Sequence, residues 1–159
     1  MREVSVSRIT DAVARMCISA NISLPRDMRE GIRACRACED GAIARTVLDQ
    51  ITENYEIAER EQVPICQDTG MACVFLELGQ DVHIDGDLDA AVQDGVRDGY
   101  ARGYLRCSVV ADPLRRTNTG DNTPGMLTVR IVPGDKQGDR KSTRLNSSHS
   151  GESRMPSSA

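Results

Sequence analysis

The sequence predicts an α+β fold, an α-helical N-terminal half followed by a small mixed sheet with helices. Three observations predict it. Apolar residues recur at spacings of three and four through residues 4–60. Runs rich in strand-forming residues appear only later, at 72–78 and 127–132. Glycine and turn-forming residues are denser in that second half, as short strands and loops require.

The elements follow in order. Residues 4–20 form an amphipathic helix on Ile9, Val13, Met16, Cys17 and Ala20, with Ser7 as its expected N-cap. Residues 21–25 break it, and Pro25 is placed to open the next helix. That helix runs to about Cys38, with Met28, Ile32 and Cys35 along one stripe. Glu39, Asp40 and Gly41 lead into a longer helix to about Arg60, on Ile43, Ala44, Val47, Ile51, Tyr55 and Ala58. Residues 62–65 are an extended entry, because Pro64 keeps Val63 out of the α region. Residues 66–70 are a polar turn, and 72–78 and 80–85 are strands, the second ended by Gly86. Residues 87–105 form a helix weakened by Gly95, Gly99 and Gly103. A loop at 117–124 and a strand at 127–132 complete the body.

Composition narrows the function. Acidic side chains number 24 against 20 basic ones, for a formal charge of −4. A nucleic-acid binder normally carries a basic face, so none is expected here. The aromatic residues are Tyr55, Phe75, Tyr100 and Tyr104, too few for a base-stacking platform. No apolar run approaches the roughly 18 residues of a membrane span. Residues 1–7 lack the layout of a secretory signal, so a cytoplasmic location is expected. Residues 137–159 differ from the rest. They are serine-rich, basic and without periodicity, and are expected to be a disordered, non-native tail on a domain spanning 1–136. The strand at 127–132 is expected to leave an open edge in this incomplete domain.

The six cysteines are not a disulfide framework on this composition. Cys17 and Cys35 fall on apolar helix stripes, as small buried hydrophobes do. Cys35 and Cys38 form a single CxxC, half a zinc site at best, and helix periodicity accounts for them without metal. Cys73 packs within a strand. Cys66 differs, because Gln67, Asp68, Thr69 and Gly70 follow it in one turn. A thiol, an amide, a carboxylate and a hydroxyl are thus concentrated there. A second dense loop is Asn118-Thr119-Gly120-Asp121-Asn122-Thr123-Pro124. Arg106, Arg115 and Arg116 lie nearby in sequence, and arginine is the usual fork for a carboxylate. Taken singly, each loop also reads as a solvated surface segment.

Together these stretches resemble one family. Pro64-Ile65-Cys66-Gln67-Asp68-Thr69-Gly70 resembles the PxCQDTG signature of class I, iron–sulfur fumarate hydratases and their tartrate dehydratase relatives. Residues 103–106, 109–113, 118–124 and 131–136 resemble that family in the same order, so the likeness covers about 1–136. The GYLR and NTGDNTP stretches look more like the fumarate hydratase α-type subunit than the tartrate branch.

The resemblance implies a hydro-lyase that adds water to a dicarboxylate double bond in the tricarboxylic acid cycle. It implies a [4Fe–4S] cluster on three thiolates, with one iron left open as a Lewis acid. Cys66 resembles the first ligand, the only one of three expected in this chain. By the same match Asp68 is a catalytic residue near the substrate hydroxyl, Gln67 contacts a carboxylate, and Arg106 clamps a carboxylate. The resemblance also implies a β-type subunit or C-terminal domain and a second α copy as partners. Without the downstream ligands and partner domain, the chain alone is expected to be inactive. Two alternatives stand beside this reading, a tartrate dehydratase α-type subunit and a non-catalytic dicarboxylate-binding fragment. A zinc module on Cys35 and Cys38 is more remote.

Overall fold

A computed structural model describes residues 2–134 and 144–145. Its described elements are β1 (Arg2–Ser5), α1 (Val6–Ile22), α2 (Arg26–Cys38), α3 (Ala42–Glu61), β2 (Cys73–Gly79), β3 (Val82–Asp85), α4 (Leu88–Arg102), β4 (Met126–Val132) and β5 (Arg144–Leu145). The α+β class is as the periodicity predicts.

The first helix starts two residues later than its pattern suggests. Ser5, not Ser7, is the N-cap, and its hydroxyl accepts from the Ser7 N–H. Residues 2–5 pair in parallel with β3 instead, in register Arg2 to Val82 through Ser5 to Asp85. The 80–85 run therefore joins the N-terminus in a separate two-stranded sheet. The other sheet is mixed, in the order β4-β2-β5, with β2 parallel to β4 and antiparallel to β5. The expected tail at 137–159 lies outside the described residues, apart from the two in β5.

The core sits between α1, α4 and β2. Val13, Met16, Cys17 and Ala20 of α1 meet Val92, Val96 and Tyr100 of α4, with Ala72, Val74 and Leu105 completing the cluster. Burying a side chain of this size is worth about 1.5–3 kcal/mol. The α4 glycines are not merely weak points in a helix. A Cβ on Gly95 would lie 2.7 Å from Val13 Cβ and 2.8 Å from the Thr10 carbonyl oxygen. One on Gly99 would lie 2.8 Å from both the Ala14 carbonyl oxygen and Cys17 Cβ. They let two helix backbones approach closely, and that contact repays their low helix propensity.

The second and third helices behave otherwise. No residue of α2 is buried, and α3 buries only Tyr55 and Ala58. The stripe of Met28, Ile32 and Cys35 is not a core stripe. Met28 is exposed, as is Cys35, which corrects its expected burial. Charges hold α2 to α3 instead: Arg29 pairs with Glu59 and Arg36 with Asp49, each at 2.7 Å. Arg29 also lies over the Tyr55 ring, 5.7 Å from its centroid. The entry at 62–65 begins with Gln62 in the left-handed region as the C-cap of α3, not in an extended conformation.

Candidate active site

Two loops meet at the C-terminal end of α4. The first runs from α3 into β2 and carries Cys66, Gln67, Asp68, Thr69 and Gly70. The second leads from α4 through Arg106 to a small hairpin and on to β4. That hairpin is closed by the Val110–Asn118 bridge, and the Thr119 N–H donates to the Val109 carbonyl oxygen at 3.0 Å.

The Cys66 turn folds around its own side chains. The Cys66 thiol donates to Gln67 Oε1 at 3.4 Å, and the Asp68 N–H donates to Cys66 Sγ at 3.5 Å. The Gly70 N–H donates to Asp68 Oδ1 at 3.2 Å. Gly70 has φ +60°, which glycine adopts without a Cβ penalty. Cys66 and Gln67 are exposed and Asp68 is half-buried.

Arg106 is brought to this turn by its backbone. Thr69 Oγ1 donates to the Arg106 carbonyl oxygen at 2.8 Å, across 37 residues of sequence. The Arg106 side chain is exposed. The four residues singled out in the sequence thus fall in one neighbourhood. Cys35 and Cys38 do not join them; they are exposed on α2, which packs against α3.

Beneath the turn lies a buried polar layer that joins Thr69 and Asn122, from the two dense loops noted in the sequence, to Tyr100, which sequence reasoning did not single out. Thr69 is 2% exposed and Asn122 is 0% exposed. The Tyr100 hydroxyl donates to the Thr69 carbonyl oxygen at 2.8 Å, with the Gly70 carbonyl oxygen 3.2 Å away. Asn122 Nδ2 donates to the Gly70 carbonyl oxygen at 3.0 Å. Asn122 Oδ1 accepts from the N–H groups of Ser108 at 2.7 Å and Val109 at 3.0 Å. Every one of these buried groups is thereby satisfied, as burial demands. Burial pushes the Tyr100 phenol well above its ordinary range, so it stays a neutral donor. The available signal was modest: Tyr100 is one of few aromatics, and Asn122 sits in a turn-rich loop.

The neighbouring charges are also organised. Asp121 Oδ1 accepts from the Thr123 hydroxyl at 2.7 Å and the Thr123 N–H at 3.0 Å, and Oδ2 accepts from Arg97 Nε at 3.0 Å. The Thr123 hydroxyl first, then its N–H and Arg97, hold the Asp121 carboxyl down to about 2. Burial raises the Cys107 thiol, and the Asp121 charge adds to that.

Residues 10–140 match the family model described as fumarate hydratase (Fumerase). The chain belongs to the fumarate hydratase family. It is 35% identical over 123 residues to a Methanocaldococcus jannaschii protein named "Putative L(+)-tartrate dehydratase subunit alpha", covering 74% of this chain and 43% of that one. It is 37% identical over 89 residues to the aerobic class I fumarate hydratase of Escherichia coli, covering 55% of this chain and 16% of the enzyme. With an Escherichia coli L(+)-tartrate dehydratase subunit alpha the identity is 23% over 135 residues, 83% of this chain and 44% of that one. The chain therefore spans less than half the length of these curated relatives.

Within this fumarate hydratase family chain, the donor set bears on the expected cluster. The Cys66 thiol is soft and exposed, which suits an iron ligand. Among the described residues, however, no three His, Cys, Asp or Glu side chains converge to hold a metal ion. The described residues offer one thiol at this turn, which does not by itself fit a three-thiolate cluster. Likewise, no helix among them is long and apolar enough to cross a membrane.

Proposed function

We propose that this chain is the dicarboxylate-gripping part of a hydro-lyase α-type subunit, for which fumarate and malate are the substrate pair. The observation that carries the reading is the junction of the Cys66–Gly70 turn with Arg106, made by Thr69 in a chain of this family. The Arg106 guanidinium forks one carboxylate, as arginine does best. The Gln67 amide donates to the other. Asp68 lies near the substrate hydroxyl and exchanges a proton with it as water leaves or adds. Cys66 would supply one thiolate toward the [4Fe–4S] cluster that the resemblance implies. The remaining ligands, a β-type subunit or C-terminal domain, and a second α copy come from outside the described residues. Alone, the chain binds dicarboxylates but does not turn them over. The work is cytoplasmic.

A second reading puts tartrate in the same grip. It is favoured by the relative that covers 74% of this chain, which bears a tartrate dehydratase name.

Calorimetry with succinate, malate and tartrate tests the grip. Binding of succinate that weakens about tenfold or more in Arg106→Lys supports it, since lysine cannot fork. Equal affinities in the two proteins would remove Arg106 from the site. Preference for malate or for tartrate decides between the readings. Fumarate hydration by the isolated chain after anaerobic iron–sulfide treatment would overturn the claim that it is inactive alone.

A further inference from the structure

We infer that Asn122, aided by Thr69 and Tyr100, is the positioning residue that sets the Cys66–Asp68 turn against Arg106. This rests on the dicarboxylate reading of that turn.

Asn122 straddles the two segments. Its amide nitrogen holds the Gly70 carbonyl oxygen, and the N–H of that same glycine holds the Asp68 carboxylate. Its amide oxygen holds the N–H groups of Ser108 and Val109, two and three residues after Arg106. One side chain thus sets the distance between the carboxylate and the guanidinium-bearing segment. Thr69 repeats the tie from the other side: its hydroxyl goes to the Arg106 carbonyl oxygen, and its own carbonyl oxygen receives the Tyr100 hydroxyl. Asn122 itself is fully buried and lies behind the turn.

The residue type is demanded twice. A donor and an acceptor must sit on one short planar group, which an amide supplies and a carboxylate does not. The backbone at Asn122 has φ +61°, in the left-handed region that asparagine tolerates better than most residues. In Asn122→Asp the two N–H groups keep their acceptor, but an oxygen faces the Gly70 carbonyl oxygen. The tie that is lost is the one to the Cys66 turn.

The test compares Asn122→Asp with the unaltered chain and with Val13→Ala, which loosens the α1–α4 core at the Gly95 contact and leaves every hydrogen bond of Asn122 in place. Two quantities are read: amide hydrogen exchange at Gly70 and Val96, and succinate affinity by calorimetry. The expected result is that Asn122→Asp raises Gly70 exchange about tenfold and weakens succinate about tenfold, while Val96 is unchanged. Val13→Ala is expected to lower the melting temperature without either Gly70 effect. If Asn122→Asp does not fold, Thr69→Val carries the test, with changes of roughly threefold in the same direction. Unchanged Gly70 exchange and succinate affinity would overturn the inference, as would equal changes in Val13→Ala. If the unaltered chain does not bind succinate, the dicarboxylate reading falls, and Gly70 exchange alone decides whether Asn122 is the tie.

Discussion

The α1–α4 pair and the α2–α3 pair look alike as patterns and differ as structures. All four helices carry apolar residues at helical spacing. In the first pair that face closes on a core, and Val13, Cys17, Val96 and Tyr100 are at most 2% exposed. In the second pair it stays open, with Ile43 84% exposed and Met28 46% exposed. The difference teaches that an amphipathic stripe states a need for cover but does not name the cover. Two glycines and a sheet underneath supply it in one case. In the other, ion pairs at 2.7 Å hold the helices together while Met28, Ile43, Val47 and Ile51 face outward.

The largest effect that sharpens this contrast is an opposite response to the same substitution. Gly95→Ala and Gly99→Ala should each destabilise by about 2–3 kcal/mol, because the added methyl meets backbone and Cβ atoms that cannot give way. Gly31→Ala in α2 meets nothing within 4 Å and should stabilise by roughly 0.5–1 kcal/mol. Urea unfolding of the three variants checks both signs. Equal signs would break the comparison.

Thiol chemistry should follow the same division. Burial pushes the Cys17 thiol up to about 12, whereas Cys35 and Cys38 are exposed. Iodoacetamide on the native chain should label Cys35, Cys38 and Cys66 and leave Cys17 unlabelled until denaturant is added. Peptide mass spectrometry reads the order. Because the folded pKa of Cys17 lies above the ordinary value of 9.0, its stabilising share is complete below pH 9 and is lost as pH rises toward 12.

Acid should act with the reverse sign on the loop side. The Asp121 carboxyl is held at about 2, below the ordinary 3.8. Its contribution is therefore complete above about pH 4 and is lost as the pH falls toward 2. Asp121→Asn should flatten the melting temperature across that window. Asp49 on α3 is also lowered, first by its hydrogen bond to Arg36, but that pair is open to water. About 1 M salt should therefore weaken the Asp49 share more than that of Asp121. Melts at two salt concentrations separate the two.

The smallest effect concerns Tyr55. Its hydroxyl is buried and has no hydrogen-bond partner among the described residues. Tyr55→Phe removes an unsatisfied group and keeps the ring under Arg29, so stability should hold or rise by up to about 1 kcal/mol. A loss of more than that would mean the hydroxyl has a partner elsewhere.

Most of the element order was legible in the sequence, because periodicity is local and strong in α1, α3 and α4. Boundaries were less so. Ser5 and Ser7 are both acceptable caps, and only pairing with β3 decides that Val4 and Ser5 belong to a strand. The candidate site was legible as residue types: Cys66, Gln67, Asp68 and Arg106 were picked out in the sequence and fall in one neighbourhood. What was not legible was the tie between them. Thr69 and Arg106 are separated by 37 residues, and Asn122 and Gly70 by 52. No local pattern encodes such contacts.

By itself the sequence determined the α+β class, the kinship through its PICQDTG turn, and which residues are candidates for the site. These depend on residue identity and short-range spacing, which the chain carries wherever it folds. Only the tertiary structure decided which apolar stripes are covered, that Gly95 and Gly99 serve helix contact, and that Cys35 is exposed. It also decided that Asn122, Thr69 and Tyr100 form the buried layer beneath the turn. Burial and long-range hydrogen bonding depend on which surfaces meet, and that is settled by the packing of the whole chain.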